Sequence, residues 1–198
     1  MIDPDTMMDD LGIWVKSYTY VGGTNKNSQN PIIRFEDTGY YSISLVSGFD
    51  MNNDTVTKVD YIYAIKYCQP TVSNLNPDIG ISHVMLATID NVSPIGKNAY
   101  TNYSNEQSTY LDLQGTYTVT LERKTAYNAM NRKVWIDWNI DGDFDDAGEL
   151  IGSEASASTL SWDLTFNVPA SATEGPTRMR VAANLGNSSN EPCGNRTY

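Results

Sequence analysis

Val134-Trp135-Ile136-Asp137-Trp138-Asn139-Ile140-Asp141-Gly142-Asp143-Phe144-Asp145-Asp146-Ala147-Gly148-Glu149 opens as a strand and closes as an acidic turn. Val134, Ile136 and Trp138 alternate with Trp135 and Asp137, the pattern of a strand with one buried face. From Asp137 onward, side-chain oxygens recur around Gly142. Carboxylates this crowded repel one another, and a hard dication is the usual way to hold them. Asp137-x-Asn139-x-Asp141-Gly142-Asp143-x-Asp145 follows the opening of a D-x-[DN]-x-D-G calcium loop, in which alternate side chains converge and glycine makes the sharp turn. The closing glutamate of that loop would fall at Gly148, but the acid is Glu149. No helical pattern precedes the loop. It reads as a calcium-type turn leaving a strand rather than a paired EF-hand. Its expected Ca2+ ligands are Asp137, Asn139, Asp141, Asp143, Asp145 and Glu149. The competing reading is a solvated acidic hairpin tip, which would have no need of Phe144.

The same period governs the chain on both sides. Leu160, Trp162, Leu164, Phe166 and Val168 share one face, Ser161, Asp163, Thr165 and Asn167 the other, and Pro169 ends the run. Within Thr116 to Glu122, Tyr117, Val119 and Leu121 face inward against outward threonines. Between Thr177 and Asn184, Met179 and Val181 point inward and Arg178 and Arg180 outward. Ile81 to Ile89 reads as one strand containing His83, preceded by a loop from Thr71 to Gly80 and followed by a turn from Asp90 to Gly96. Nearer the start, Met1 to Asp10 is an acidic, aperiodic linker and Gly12 to Tyr20 a strand without clean alternation. Pro31 to Phe35, Tyr40 to Ser47 and Thr55 to Ile65 are strands, with turns at Glu36 to Gly39 and Asp50 to Asp54. Many short period-2 runs and no 3.6-residue period predict an all-β protein of packed antiparallel sheets, a β-sandwich of jelly-roll or immunoglobulin-like type. A strand end, Cys68 and Pro70 place a boundary at Ile65 to Pro70, dividing the chain into 1–64 and 65–198.

Composition narrows the function. Thirteen Lys and Arg stand against 24 Asp and Glu, a formal charge of -11 over 198 residues. Such a chain repels phosphate backbones, which excludes nucleic acid as a partner. Nothing approaches 18 consecutive apolar residues, so no membrane insertion is expected. Cys68 and Cys193 are far apart and in no C-x-x-C. In an acidic β-rich chain they suggest one disulfide in an oxidising compartment, the alternative being two unrelated buried thiols. Closing such a loop stabilises by about 4–5 kcal/mol on the chain-entropy account. Met1 to Asp5 carries no basic-then-apolar leader, so an extracellular protein would be a processed product or a piece of a longer precursor. The acids at 137–149 are contiguous on one loop, which suits wrapping an ion better than flanking a glycosidic bond. His83, the one histidine, sits mid-strand with no G-x-S-x-G serine to activate. The chain is expected not to be an enzyme.

Two resemblances add to this. Asn30-Pro31, the Phe35 to Leu45 run and the Thr55 to Ala64 run resemble the C-terminal half of a PKD-type immunoglobulin-like domain, without its early W-x-F-G-D-G turn. This implies a partial or divergent β-sandwich spacer over 1–64. From about Tyr67 to Tyr198 the chain resembles the GEVED domain of secreted bacterial proteins. The resemblance lies in Tyr67-Cys68, Tyr100-Thr101-Asn102-Tyr103-Ser104, Val134 to Glu149, Val168 to Val181, and Pro192-Cys193-Gly194. The family's naming strand would follow Tyr198, so a final strand is expected to be missing, leaving a C-terminal sheet edge open to a neighbouring subunit. The resemblance implies a non-catalytic structural or adhesive module of a larger secreted or cell-surface bacterial protein, with other modules of the same precursor as partners. The alternative is a carbohydrate- or glycoprotein-binding accessory module of a secreted hydrolase, with Trp135, Tyr100 and Tyr103 as an aromatic platform for a glycan.

Overall fold

The computed structural model describes residues 17–49, 52–74, 80–94 and 100–197. The linker expected at Met1 to Asp10 and most of the strand expected at Gly12 to Tyr20 lie outside them. The chain separates into two compact units, Met1–Tyr67 and Cys68–Tyr198. The described residues are all-β, in mainly antiparallel sheets, with no helix.

In the first unit β1 (Tyr18–Val21) pairs antiparallel with β2 (Ile32–Phe35), and β3 (Gly39–Phe49) with β4 (Asn52–Ala64). Tyr41 organises the entry to β3. Its ring lies 4.4 Å from that of Phe35 and its hydroxyl donates to the carbonyl of Asp37 at 2.9 Å. Burial of that ring holds the phenol above its ordinary pKa, against the pull of the Asp37 hydrogen bond.

The second unit contains β5 (Thr71–Asn74), β6 (Ile81–Leu86), β7 (Ile89–Val92), β8 (Thr116–Arg123), β9 (Met130–Ile136), β10 (Leu150–Ala157), β11 (Ser161–Asn167), β12 (Met179–Leu185) and β13 (Asn195–Thr197). One sheet runs β10-β9-β12 and another β11-β8-β6-β7. Val84, Leu86, Val119, Leu121, Val134, Ile136, Phe166 and Val168 form a single buried cluster drawn from both sheets, with Tyr117, Trp138, Trp162, Leu164, Met179 and Val181 packed against it. That is the core of a sandwich, and it uses the inward residues of each alternating run.

Several elements depart from the sequence reading, among them the turn expected at Asp50 to Asp54: Asp50 and Met51 lie outside the described residues, and β4 already begins at Asn52. The strand expected over Ile81 to Ile89 ends at Leu86, because the chain turns at Ala87, whose φ of 49° places an alanine in the left-handed region without any glycine to signal it, and the start of the turn expected at Asp90 to Gly96 belongs instead to β7. The segment read as a loop from Thr71 carries β5, which pairs in parallel with β13. β10 carries small and polar residues with weak strand preference, yet it completes the hairpin with β9. Gly152 explains part of that composition: a Cβ there would come within 2.4 Å of Leu164 Cδ1. Gly152→Val is expected to force Leu164 off its rotamer and cost about 1–3 kcal/mol, read as a lower urea midpoint of the second unit at unchanged slope.

The outward face of the four-stranded sheet is polar. Thr118 bonds Thr165 at 2.9 Å and Thr120 donates to Asp163 at 2.6 Å across the β8–β11 ladder. His83 stands on the same face between two carboxylates, with Nδ1 3.0 Å from Glu122 and Nε2 against Asp90. The hydrogen bond to Asp90, then that to Glu122, raises its pKa above the ordinary histidine value. A histidine whose folded pKa is raised contributes stability that is fully present below the unfolded value and lost as pH rises through the folded one. Unfolding free energy is therefore expected to fall across that window, and His83→Gln to remove the dependence. The sole histidine makes this readable as one imidazole titration by NMR, and a midpoint at or below the unfolded value would contradict it.

Candidate cation site

The acidic stretch is the turn of the β9–β10 hairpin. Ile136 N donates to the Glu149 carbonyl at 2.9 Å and Leu150 pairs with Trp135, so the loop is closed by a strand ladder and no helix. Glu149 stands one place after the loop's usual closing position, directly behind Gly148, whose φ is 95°. Gly142 at φ 100° makes the sharp turn expected of it.

Asp137 organises the loop from beneath. It is fully buried, its Oδ1 accepts from Ile140 N at 2.7 Å, and its Oδ2 accepts from Gly142 N at 3.0 Å. Asn139, Asp141 and Asp143 each accept a hydrogen bond from the backbone N–H two residues on, which curls the chain and turns alternate side chains inward. Glu149 is buried too. Its Oε1 accepts from Trp138 N at 3.0 Å and its Oε2 from Asp146 N at 3.3 Å. Burial raises the Glu149 pKa, the two backbone N–H groups pull it back, and the charges of Asp137 and Asp141 push it further up.

Two groups of carboxylates converge. Asp137, Asp141 and Glu149 each offer an oxygen, all within 4.8 Å of one another, and Asp141, Asp143 and Asp146 do the same beside them. Calcium–oxygen bonds of about 2.3–2.6 Å let two ligands of one ion stand up to about 5 Å apart. An all-oxygen set at this spacing fits a hard dication. The amide nitrogen of Asn139 lies between Asp141, at 2.8 Å, and Asp146, at 2.6 Å, donating to both where a cation would otherwise balance them.

Among the ligands expected from sequence, the structure gathers Asp137, Asp141, Asp143 and Glu149, with Asn139 at the edge. Among the described residues Asp145 joins neither group. Asp146, which counting by alternate positions passed over, stands beside Asp141 and Asp143.

Behind the loop lies a second layer, on the face of the three-stranded sheet away from the sandwich core. Trp135 is 2% exposed and Arg180, opposite it on β12, is 5% exposed. The outward direction of Arg180 is therefore as expected, but the outward face is covered. Phe144 is buried with its ring 4.7 Å from the Arg180 guanidinium, and the Tyr100 ring lies 5.5 Å from the same group. Cys68 and Cys193 are joined by a disulfide, with 5.6 Å between their Cα atoms. Asn190, also buried, donates to Asn131 Oδ1 at 2.7 Å and fastens the segment that leads to Cys193. The aromatic platform expected from Trp135, Tyr100 and Tyr103 does not form as an open surface. Trp135 is buried, Tyr100 stacks on Arg180, and Tyr103 is half-buried. Period-2 alternation says which side of the sheet a residue faces, not whether that side is covered.

Compared with known families, residues 131–198 match the model of the GEVED domain. The matched stretch runs from β9 through the acidic loop to β13 and so contains both carboxylate groups, Arg180 and Cys193. No curated protein and no solved structure matches the chain.

Proposed function

We propose that the chain is a non-catalytic structural or adhesive β module of a larger secreted or cell-surface bacterial protein, with calcium bound in the β9–β10 turn and the Cys68–Cys193 bridge as its two staples. The observation that carries this reading is the convergence of Asp137, Asp141 and Glu149, two of them buried, at a spacing that fits one hard cation. The disulfide agrees with an oxidising, extracellular location. The first unit serves as a PKD-like spacer; the long β3–β4 hairpin coincides with the stretch that carries that resemblance. Partners are neighbouring modules of the same precursor. Assembly by strand addition would use β10 or β12, the outer strands of the three-stranded sheet among the described residues.

A glycan array read with calcium and with chelator tests the role. No calcium-dependent binding above background is expected. Saturable, calcium-dependent binding to one glycan class would replace the structural reading with a carbohydrate-binding one.

A further inference from the structure

Arg180 joins three parts of the second unit that are far apart in sequence. Its Nη1 donates to Cys68 Sγ at 2.9 Å and to the Pro192 carbonyl at 2.8 Å, and its Nη2 donates to the Cys68 carbonyl at 2.7 Å. The same guanidinium stacks on Phe144, the one aromatic ring between Asp141 and Glu149. Acceptors on both sides of the disulfide thus hold the group on which the acidic loop rests.

We propose that the Cys68–Cys193 bridge and the acidic loop are coupled through Arg180, so that opening the bridge loosens residues 139–149. A buried guanidinium is stable only while its hydrogen bonds are met. With the bridge intact, Cys68 and Pro192 are held together over β12. Once it opens, they separate, the acceptors leave, and the guanidinium against which Phe144 packs is no longer held in place. The coupling concerns the order of the loop and does not depend on whether the loop holds calcium.

The chemistry is thiol–disulfide exchange with an external dithiol. Cys193 is the more exposed half of the bridge. A thiolate of dithiothreitol attacks Cys193 Sγ, the S–S bond breaks, and its electron pair leaves on Cys68 Sγ. Arg180 stands beside that sulfur and favours its departure as thiolate. The second thiol of the reagent then displaces Cys193 and closes a cyclic disulfide. Two electrons and two protons pass from the dithiol to the two cysteines.

Amide hydrogen exchange by mass spectrometry on the full chain, in chelator, tests this. The samples are the oxidised protein, the dithiothreitol-reduced protein, Cys68→Ser/Cys193→Ser, and Arg180→Lys, which keeps the charge and loses the fork. Reduction is expected to speed exchange across 139–149 by about tenfold or more while β8 peptides stay protected. Oxidised Arg180→Lys should already show the fast loop, and reducing it should add nothing. The double serine variant should match the reduced protein. Equal loop exchange in oxidised and reduced wild type would overturn the proposal. So would an effect of reduction that persists undiminished in Arg180→Lys, or one that spreads equally to β8 and thus reports global unfolding. With chelator present, none of these outcomes turns on the calcium reading.

Discussion

Arg132→Met is expected to destabilise the second unit by about 3–5 kcal/mol, because it removes one half of a buried ion pair. Arg132 has no exposed surface. Its Nε and Nη2 grip the two oxygens of Glu154 at 2.5 and 2.9 Å, and its Nη1 donates to the Leu121 carbonyl at 2.7 Å. Glu154 belongs to β10 and Leu121 to β8, so one side chain ties the two sheets together. Methionine restores most of the volume and none of the charge, leaving the carboxylate of Glu154 facing a protein interior. The control is Arg132→Met/Glu154→Leu, which should recover much of the loss, since a desolvated pair replaced as a whole is often near neutral. Urea unfolding of both variants decides it. If the double variant is no more stable than the single, the cost lies in lost packing against Trp162, whose ring lies 5.8 Å from the guanidinium, and not in the orphaned charge.

The second large effect belongs to Asp137. Replacement by alanine strips the Ile140 and Gly142 N–H groups of their buried acceptor, at about 1–3 kcal/mol for each donor left unsatisfied. It is also expected to abolish any stabilisation by calcium. Asp145→Ala is the contrast. Asp145 is exposed and joins neither carboxylate group, so its removal should leave stability within about 0.5 kcal/mol of wild type and leave the calcium response intact. A calcium response lost equally in both variants would mean that net negative charge, and not the geometry around Asp137, attracts the ion.

The sandwich was legible because its inner faces alternate cleanly: Tyr117, Val119 and Leu121 on β8, Trp162, Leu164 and Phe166 on β11, and Val134 and Ile136 on β9 all point where the period puts them. What escaped was set by partners distant in sequence. β10 is a strand because β9 supplies its hydrogen bonds, not because of its residues. β5 needs β13, and nothing local announces a parallel pair. The same limit applies to the site. Local spacing identified the loop and most of its acids, since an Asx-turn ladder is a property of neighbouring residues. It did not single out Asp146, which the folded loop brings beside Asp141 and Asp143. Trp135 looked available for a ligand only because the layer that covers its side of the sheet is brought there by Phe144, Arg180 and a disulfide spanning 125 residues.

Thermal unfolding of the full chain followed by calorimetry, with calcium in excess and then with chelator, bears most directly on the loop as a calcium site. Free calcium at about a hundred times the dissociation constant should stabilise the second unit by about 2.7 kcal/mol, rising with the logarithm of its concentration. Magnesium at equal concentration should do less, because it gives up its water reluctantly. A transition that stays put across the calcium series in wild type, while the disulfide is intact, would contradict the account.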